Sequence, residues 1–232
     1  MGHKIMAIFK LSAKEMVMNM SMLTSLLLPI LMALMFQRID EEVGESIPFI
    51  VIFTMVGITF ASATSSIIIS MLAEDNEQGT LDYVITDKKS MTANIIGRGI
   101  LLFAVTSLIM IFNLILMDSL MMMNFVDIIA LIILWMIFYF LSAAFGMISK
   151  TLASSSLFII IMLFIFAMAP YIELIVTDQD NIFRRFFELT PLYQNLFIRE
   201  GMIVQPFIIL ITWTILSVVF FIIVFNKKVK SL

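Results

Sequence analysis

Residues 48–89 read PFIVIFTMVGITFASATSSIIISMLA followed by EDNEQGTLDYVITDKK. The change of character after Ala73 decides the fold. The segment Pro48–Ala73 carries no charge and exceeds the roughly 20 apolar residues that a helix needs to cross the hydrocarbon core of a bilayer. Glu74–Lys89 is polar and charged and cannot stay in that core. A membrane-crossing helix that ends in a polar loop is the natural reading, and the rest of the chain repeats the pattern.

Hydrophobic residues make up 62% of the 232 residues and charged residues 13%, with a mean hydropathy of +1.10. No soluble domain of this length hides so much apolar surface, so the chain belongs to a membrane protein. Six apolar runs are long enough to span: Val17–Phe36, Pro48–Ala73, Ala93–Met117, Asp127–Ile148, Ser156–Thr177 and Pro206–Phe225. The expected fold is therefore all-α, a single transmembrane domain over residues 1–232 with six transmembrane helices. Its parts are an N-terminal interfacial helix (1–16), spans 1 and 2 (17–73), a polar loop (74–92), spans 3 to 5 (93–177), an outer loop (178–205), span 6 (206–225) and a tail (226–232). Pro29 and Pro170 fall inside runs and are kink candidates, because proline removes a backbone donor. No cleavable signal peptide is expected, since the first residues lack a short apolar core followed by a small-residue cleavage site. Met (21) and Phe (22) are abundant and suit lipid contact and helix packing.

Orientation follows from lysine and arginine. With the N-terminus inside, Lys4, Lys10, Lys14, Lys88, Lys89, Arg98, Lys150, Lys227, Lys228 and Lys230 fall on the inner side, against Arg38, Arg184, Arg185 and Arg199 outside. This asymmetry predicts that both termini are cytoplasmic. Lys4–Met16 places Ile5, Ile8, Phe9 and Ser12 on one face and Lys10, Lys14 and Glu15 elsewhere, the pattern of a helix lying in the membrane interface. The outer loop contains IFRRFFELTPLYQNLFIREGMI (182–203), too charged to cross and broken by Thr190-Pro191. Two short amphipathic helices dipping into the outer leaflet, a re-entrant-like loop, are expected there.

The pattern excludes several chemistries. There is no cysteine, hence no disulfide, thiol nucleophile or thiolate metal site. No G-x-x-x-x-G-K-[ST] occurs, so the chain lacks the usual phosphate cradle. The one histidine is His3, there is no H-E-x-x-H, and no paired carboxylates stand within a run. No catalytic residue, metal site or nucleic-acid partner is expected. Arg98, Asp118, Asp127 and Glu173 lie near the ends of runs, where such side chains can snorkel to the surface. The middles hold Ser, Thr, Asn113 and aromatics, which argues against a proton- or sodium-coupled transporter. Gly57, Ala61 and Ser65, and likewise Ser142 and Gly146, recur every four positions and permit close helix contact. Packing within one subunit is the leading reading, with a dimer seam or a polar stripe as alternatives. The second run is the most polar, so Thr54, Thr59, Ser62 and Ser66 are the candidates for lining a substrate path.

In the polar loop, Gly79 can end a helix in the left-handed conformation. Thr80 can then cap a short new one with Asp82 near its positive end. Leu81, Tyr83, Val84 and Ile85 would form its apolar side, and Asp87, Lys88 and Lys89 would close it. Glu77-Gln78-Gly79-Thr80-Leu81-Asp82-Tyr83 resembles the E-x-G-T-L-[ED] signature of ABC-2-type permeases, the membrane subunits of ATP-binding-cassette exporters. Gly97-Arg98 resembles the Gly-Lys that often follows, and Thr190-Pro191-Leu192 the proline-containing motif before the last span. Asn76 stands where the family often has Arg, and Lys88 where it often has Pro. The resemblance implies a coupling helix over Glu77–Asp87, with Glu77, Gly79, Thr80, Leu81, Asp82, Tyr83, Val84 and Ile85 meeting a separate cytoplasmic ATPase that binds ATP and Mg. It implies a second permease copy as partner, identical or homologous, and a multi-pass location in a bacterial cell membrane. By the same analogy the short chain suits export of amphipathic, antimicrobial-type peptides. Export of lipids or hydrophobic drugs is the alternative, as is a membrane anchor or sensor that moves nothing.

Overall fold

The computed structural model describes residues 1–43, 48–79, 88–178 and 180–230, with backbone alone for 39–43 and 174. The described residues are helical and contain no strand. Helix α1 (Gly2–Met18) is followed by α2 (Met20–Val43) and α3 (Phe49–Glu77). After them come α4 (Lys88–Leu116), α5 (Phe125–Ile148), α6 (Leu152–Ala167), α7 (Ile182–Glu188), α8 (Pro191–Arg199) and α9 (Val204–Lys230). Among the described residues, five helices are long and apolar enough to span a membrane: α2 (over Met20–Arg38), α3, α4, α5 and α9. The protein is thus an all-helical, multi-pass membrane protein.

The fifth run does not form one long helix. Helix α6 stops at Ala167, and the chain bends at Met168 (φ −99°, ψ 9°). Ala169–Tyr171 and Ile172–Ile175 then form two short helical turns. Pro170 accounts for the break: it has no N–H to continue the ladder, and its ring would clash with the carbonyl of Phe166 in a continuous α-helix. Pro29, by contrast, sits inside the continuous α2.

Helix α3 is the axis. Its most apolar stretch is 94% buried within the protein, whereas those of α2 and α9 are 17% buried. It touches α2, α4, α5, α6 and α8. Two glycines make this possible. A Cβ on Gly57 would sit 2.4 Å from the Ala167 carbonyl oxygen and 2.4 Å from a Leu192 methyl group. One on Gly146 would sit 2.9 Å from Leu72 Cβ. Ala61, Ser65 and Ser142 are buried beside them, so both small-residue rows pack inside one subunit. Midway, Phe60–Ser66 (FASATSS) winds as π-helix, and Met162–Ala167 of α6 does the same; such segments are rare and recur at functional positions.

The outward faces of α2, α4 and α9 carry exposed Leu31, Met35, Leu108, Ile211, Ile215 and Ile223, an apolar area suited to lipid. Helix α1 lies against α4 with Ser12 and Met16 buried and Ile5, Ile8 and Phe9 half-buried, and Asn19 separates it from α2. The alternation of helices gathers both described termini, the α3–α4 junction and Lys150 at one end. Arg38, Arg184, Arg185 and Arg199 lie at the other.

Gly57→Ala should cost about 1–3 kcal/mol, as overpacking of a tight contact does, because backbone of α6 and a side chain of α8 already occupy the space. Gly2→Ala, with nothing near its Cβ position, should leave stability unchanged. Unfolding in detergent, followed by circular dichroism, measures the difference.

Candidate functional site

The end of α3 carries the loop singled out in the sequence. Thr80, Leu81, Asp82, Tyr83, Val84 and Ile85 lie outside the described residues. What precedes them is held from three sides. Asp75 accepts from the Arg98 guanidinium at 2.7 Å, tying α3 to α4. The Asn76 amide donates to the carbonyls of Gly146, Met147 and Ser149 at 3.3, 3.3 and 2.8 Å. These are the carbonyls that the end of α5 leaves unpaired. The Glu77 carboxylate accepts the Leu152 N–H at 2.7 Å, one of the free donors at the start of α6. Thr151 and Ser154 close a capping box on the same turn. Three consecutive residues therefore lock α3 to α4, α5 and α6. Gly79 follows with φ +67°, the left-handed conformation in which glycine ends a helix.

Arg98 does not snorkel: it is 4% exposed and faces inward to Asp75, because an acid at the end of α3 and a base in the first turns of α4 reach the same depth. Glu15 of α1 lies beside the pair. Burial raises its carboxyl above the ordinary range, opposed by the Arg98 guanidinium. Gly97 lets α1 come this close, since a Cβ there would sit 2.9 Å from the Ile5 carbonyl oxygen.

Of the expected path residues, Thr54, Thr59 and Ser62 are buried and donate to the carbonyls of Ile50, Met55 and Ile58. Ser66 is half-buried, 3.2 Å from the Ser25 hydroxyl. A second set of polar contacts joins the spans. Asn113 donates to Thr59 at 3.1 Å, Thr64 and Thr106 hydroxyls lie 2.7 Å apart, and the Trp135 indole donates to Thr64 at 3.1 Å. The hydroxyls of α3 thus stitch it to its own backbone and to α4 and α5.

At the opposite end, Thr190 stands at the N-cap position of α8 with its hydroxyl donating to the Phe187 carbonyl, and Pro191 occupies the first turn. Helix α8 sits inside the bundle with Leu192, Tyr193, Gln194, Asn195 and Leu196 buried, where the sequence suggested a segment at the lipid surface. Its length of nine residues and its contacts with α3, α5 and α9 explain the depth. Arg199 reaches Asp127 at 3.1 Å and lies 4.7 Å over the Phe49 ring. Asp127 also accepts from the Asn124 backbone N–H in the capping box of α5. The Tyr193 hydroxyl donates to Glu173, which pairs with Arg184 at 3.0 Å. Burial, then the bond to Glu173, raises the Tyr193 phenol well above its usual range. Helix α7 keeps Ile182, Phe183 and Phe186 exposed.

The sequence reading missed Asp75 and Asn76 as anchors. The signal lay in their position, polar residues within one turn of a helix end that faces the turn between α5 and α6. Among the described residues, no group of acidic or histidine side chains could hold a metal ion. The sequence matches no protein-family model, and no curated protein matches it.

Asn76→Ala should destabilise by about 1–3 kcal/mol, the cost of leaving buried carbonyls unpaired. Arg98→Met should cost more, about 3–5 kcal/mol, by removing the buried guanidinium that Asp75 faces. Combining Arg98→Met with Asp75→Leu should recover part of that loss. Chemical unfolding of the four proteins in one detergent gives the comparison.

Proposed function

We propose that this chain is the permease subunit of an ABC-2-type exporter, driven by a separate cytoplasmic ATPase and working with a second permease copy. The observation that carries the reading is the junction at Gly79. The segment resembling the family signature begins on a helix end braced to three neighbouring spans. A loop meant to receive force needs such a mounting; a merely solvated loop does not.

On this reading the Lys-rich end is cytoplasmic, as the excess of lysine there argues. The apolar side of Leu81, Tyr83, Val84 and Ile85 docks in the ATPase. ATP and Mg stay in that partner. Movement of the loop pulls on Gly79 and then on Asp75, Asn76 and Glu77. Because α3 is central, a displacement of its end must repack α4, α5 and α6 together; close-packed interiors shift between discrete arrangements and do not stretch. Helix α6 and the turns after Pro170 complete a sixth, bent crossing, and α7 lies in the outer leaflet with Phe183 and Phe186 in the acyl region. Amphipathic, antimicrobial-type peptides remain the favoured cargo, by analogy with the short members of the family. The π-helical turn Phe60–Ser66, rich in small residues, gives α3 a place to change its winding during transport.

The test is co-purification with the ATPase subunit and its rate of hydrolysis in the presence of peptide. Leu81→Asp should abolish association while leaving the permease folded in the membrane. Gly79→Pro should retain association and lose export. Normal export by both variants would remove the coupling role, and an ATPase that never associates would favour a membrane anchor or sensor.

A further inference from the structure

A furrow runs along α4. At the Lys-rich end a cavity of about 350 Å³ lies between α4 and α9, lined by Lys88, Thr92 and Asn226 above and by Ile96, Phe140 and Ile222 below. It shares Ile95, Ile96 and Phe140 with a second, about 320 Å³, that continues past Gly99 and Ile100 to Phe103, Trp135 and Tyr139. There Phe103 meets Trp135 edge-on, 4.9 Å between ring centres, and narrows the furrow to a waist. Beyond the waist a third cavity, about 390 Å³, opens between α4 and α5 over Phe60, Met110, Leu114 and Ile128.

We infer that the segment from Lys88 to the Phe103–Trp135 waist binds one anionic phospholipid. Three features of the molecule select this occupant. First, the polarity is graded as in a lipid: an ammonium, a hydroxyl and an amide at the mouth, then hydrocarbon and aromatic walls. Second, the length fits. Fifteen residues of α4 separate Lys88 from Phe103, which is about 22 Å of helix, and half of a bilayer with its headgroup layer is ~20–22 Å. Third, the charge is complementary. Lys88 lines the mouth, with Lys89 at the start of α4 and Lys227 and Lys230 at the end of α9 exposed on the same helix ends, and lysines in such a place attract acidic headgroups. The phosphate sits on Lys88 with Thr92 and Asn226 beside it. One acyl chain descends past Ile96 and Ile100 to the waist. The bound lipid fills the gap between α4 and α9 and so belongs to the packing of the third span. This inference does not depend on the proposed export function.

Trp135 reports on the site. In a Trp213→Phe protein, reconstituted into phosphatidylcholine bilayers, Trp135 is the remaining tryptophan. Lipids brominated along the acyl chain quench it on contact. Brominated phosphatidylglycerol should quench at about fivefold lower mole fraction than brominated phosphatidylcholine, the value of one lysine at an anionic surface. Lys88→Gln should equalise the two lipids. Ile96→Phe, which fills the furrow but keeps the lysine, should equalise them as well. Lys150→Gln, at the same end but away from the furrow, should leave the preference intact. Equal quenching in the parent protein overturns the site. So does a preference that survives Lys88→Gln or Ile96→Phe, or one that Lys150→Gln lowers as much as Lys88→Gln, since general surface charge would then be the cause.

Discussion

Helix α3 must pass through the centre of the bundle although it is the most polar span, and that constraint organises the rest. Burying an unpaired hydroxyl costs about 1–3 kcal/mol. Thr54, Thr59 and Ser62 avoid the cost by donating to carbonyls four residues back. Thr64 and Thr59 also take donors from Trp135 and Asn113. Gly57, Ala61 and Gly146 then let neighbouring backbones come in close enough for dispersion to hold a helix that hydrophobic burial alone cannot retain inside a membrane. Of these, Ala61 lies in the π-helical turn Phe60–Ser66.

Charge is handled at the two ends by pairing. Asp75 meets Arg98 at one end; Asp127 meets Arg199, and Glu173 meets Arg184, at the other. Each pair joins two different helical segments, so each fixes how deep one sits relative to the other. Apolar packing between helices tolerates sliding; a charge pair at a single depth does not. The pairs thus set register where hydrocarbon contacts leave it loose.

The architecture was legible in the sequence where a long apolar run met a polar break. The spans α2, α3, α4, α5 and α9, the buried face of α1 and the left-handed Gly79 all follow from length, period and residue type. Depth was not legible. Arg98 and Asp127 were read as surface-seeking because a single span reveals no partner, and the partners are 23 and 72 residues away. Helix α8 looked amphipathic in isolation, yet its polar residues are turned into the protein: Tyr193 to Glu173 and Gln194 to the Glu188 carbonyl. The break at Met168 was half visible, since Pro170 marked a kink without saying that the helix would stop. Asn76 stood out as a departure from the signature that its neighbours resemble, and it anchors the end of α5.

The Asp127–Arg199 contact also bears on how the chain is made. Asp75 precedes Arg98 closely, so those charges meet as soon as α4 emerges. Asp127 is synthesised 72 residues before Arg199. At about 5–20 residues per second, it waits roughly 4–14 s without its partner. During that interval a carboxylate in the first turn of α5 is stable only beside water, so α5 is held near the boundary by its own cap and cannot sink to its final depth. Closure of that end falls to α8, which carries Arg199 and enters after α3 and α5 but before α9. The Asp75–Arg98 pair can therefore form early, whereas the Asp127–Arg199 pair forms only once α8 has emerged.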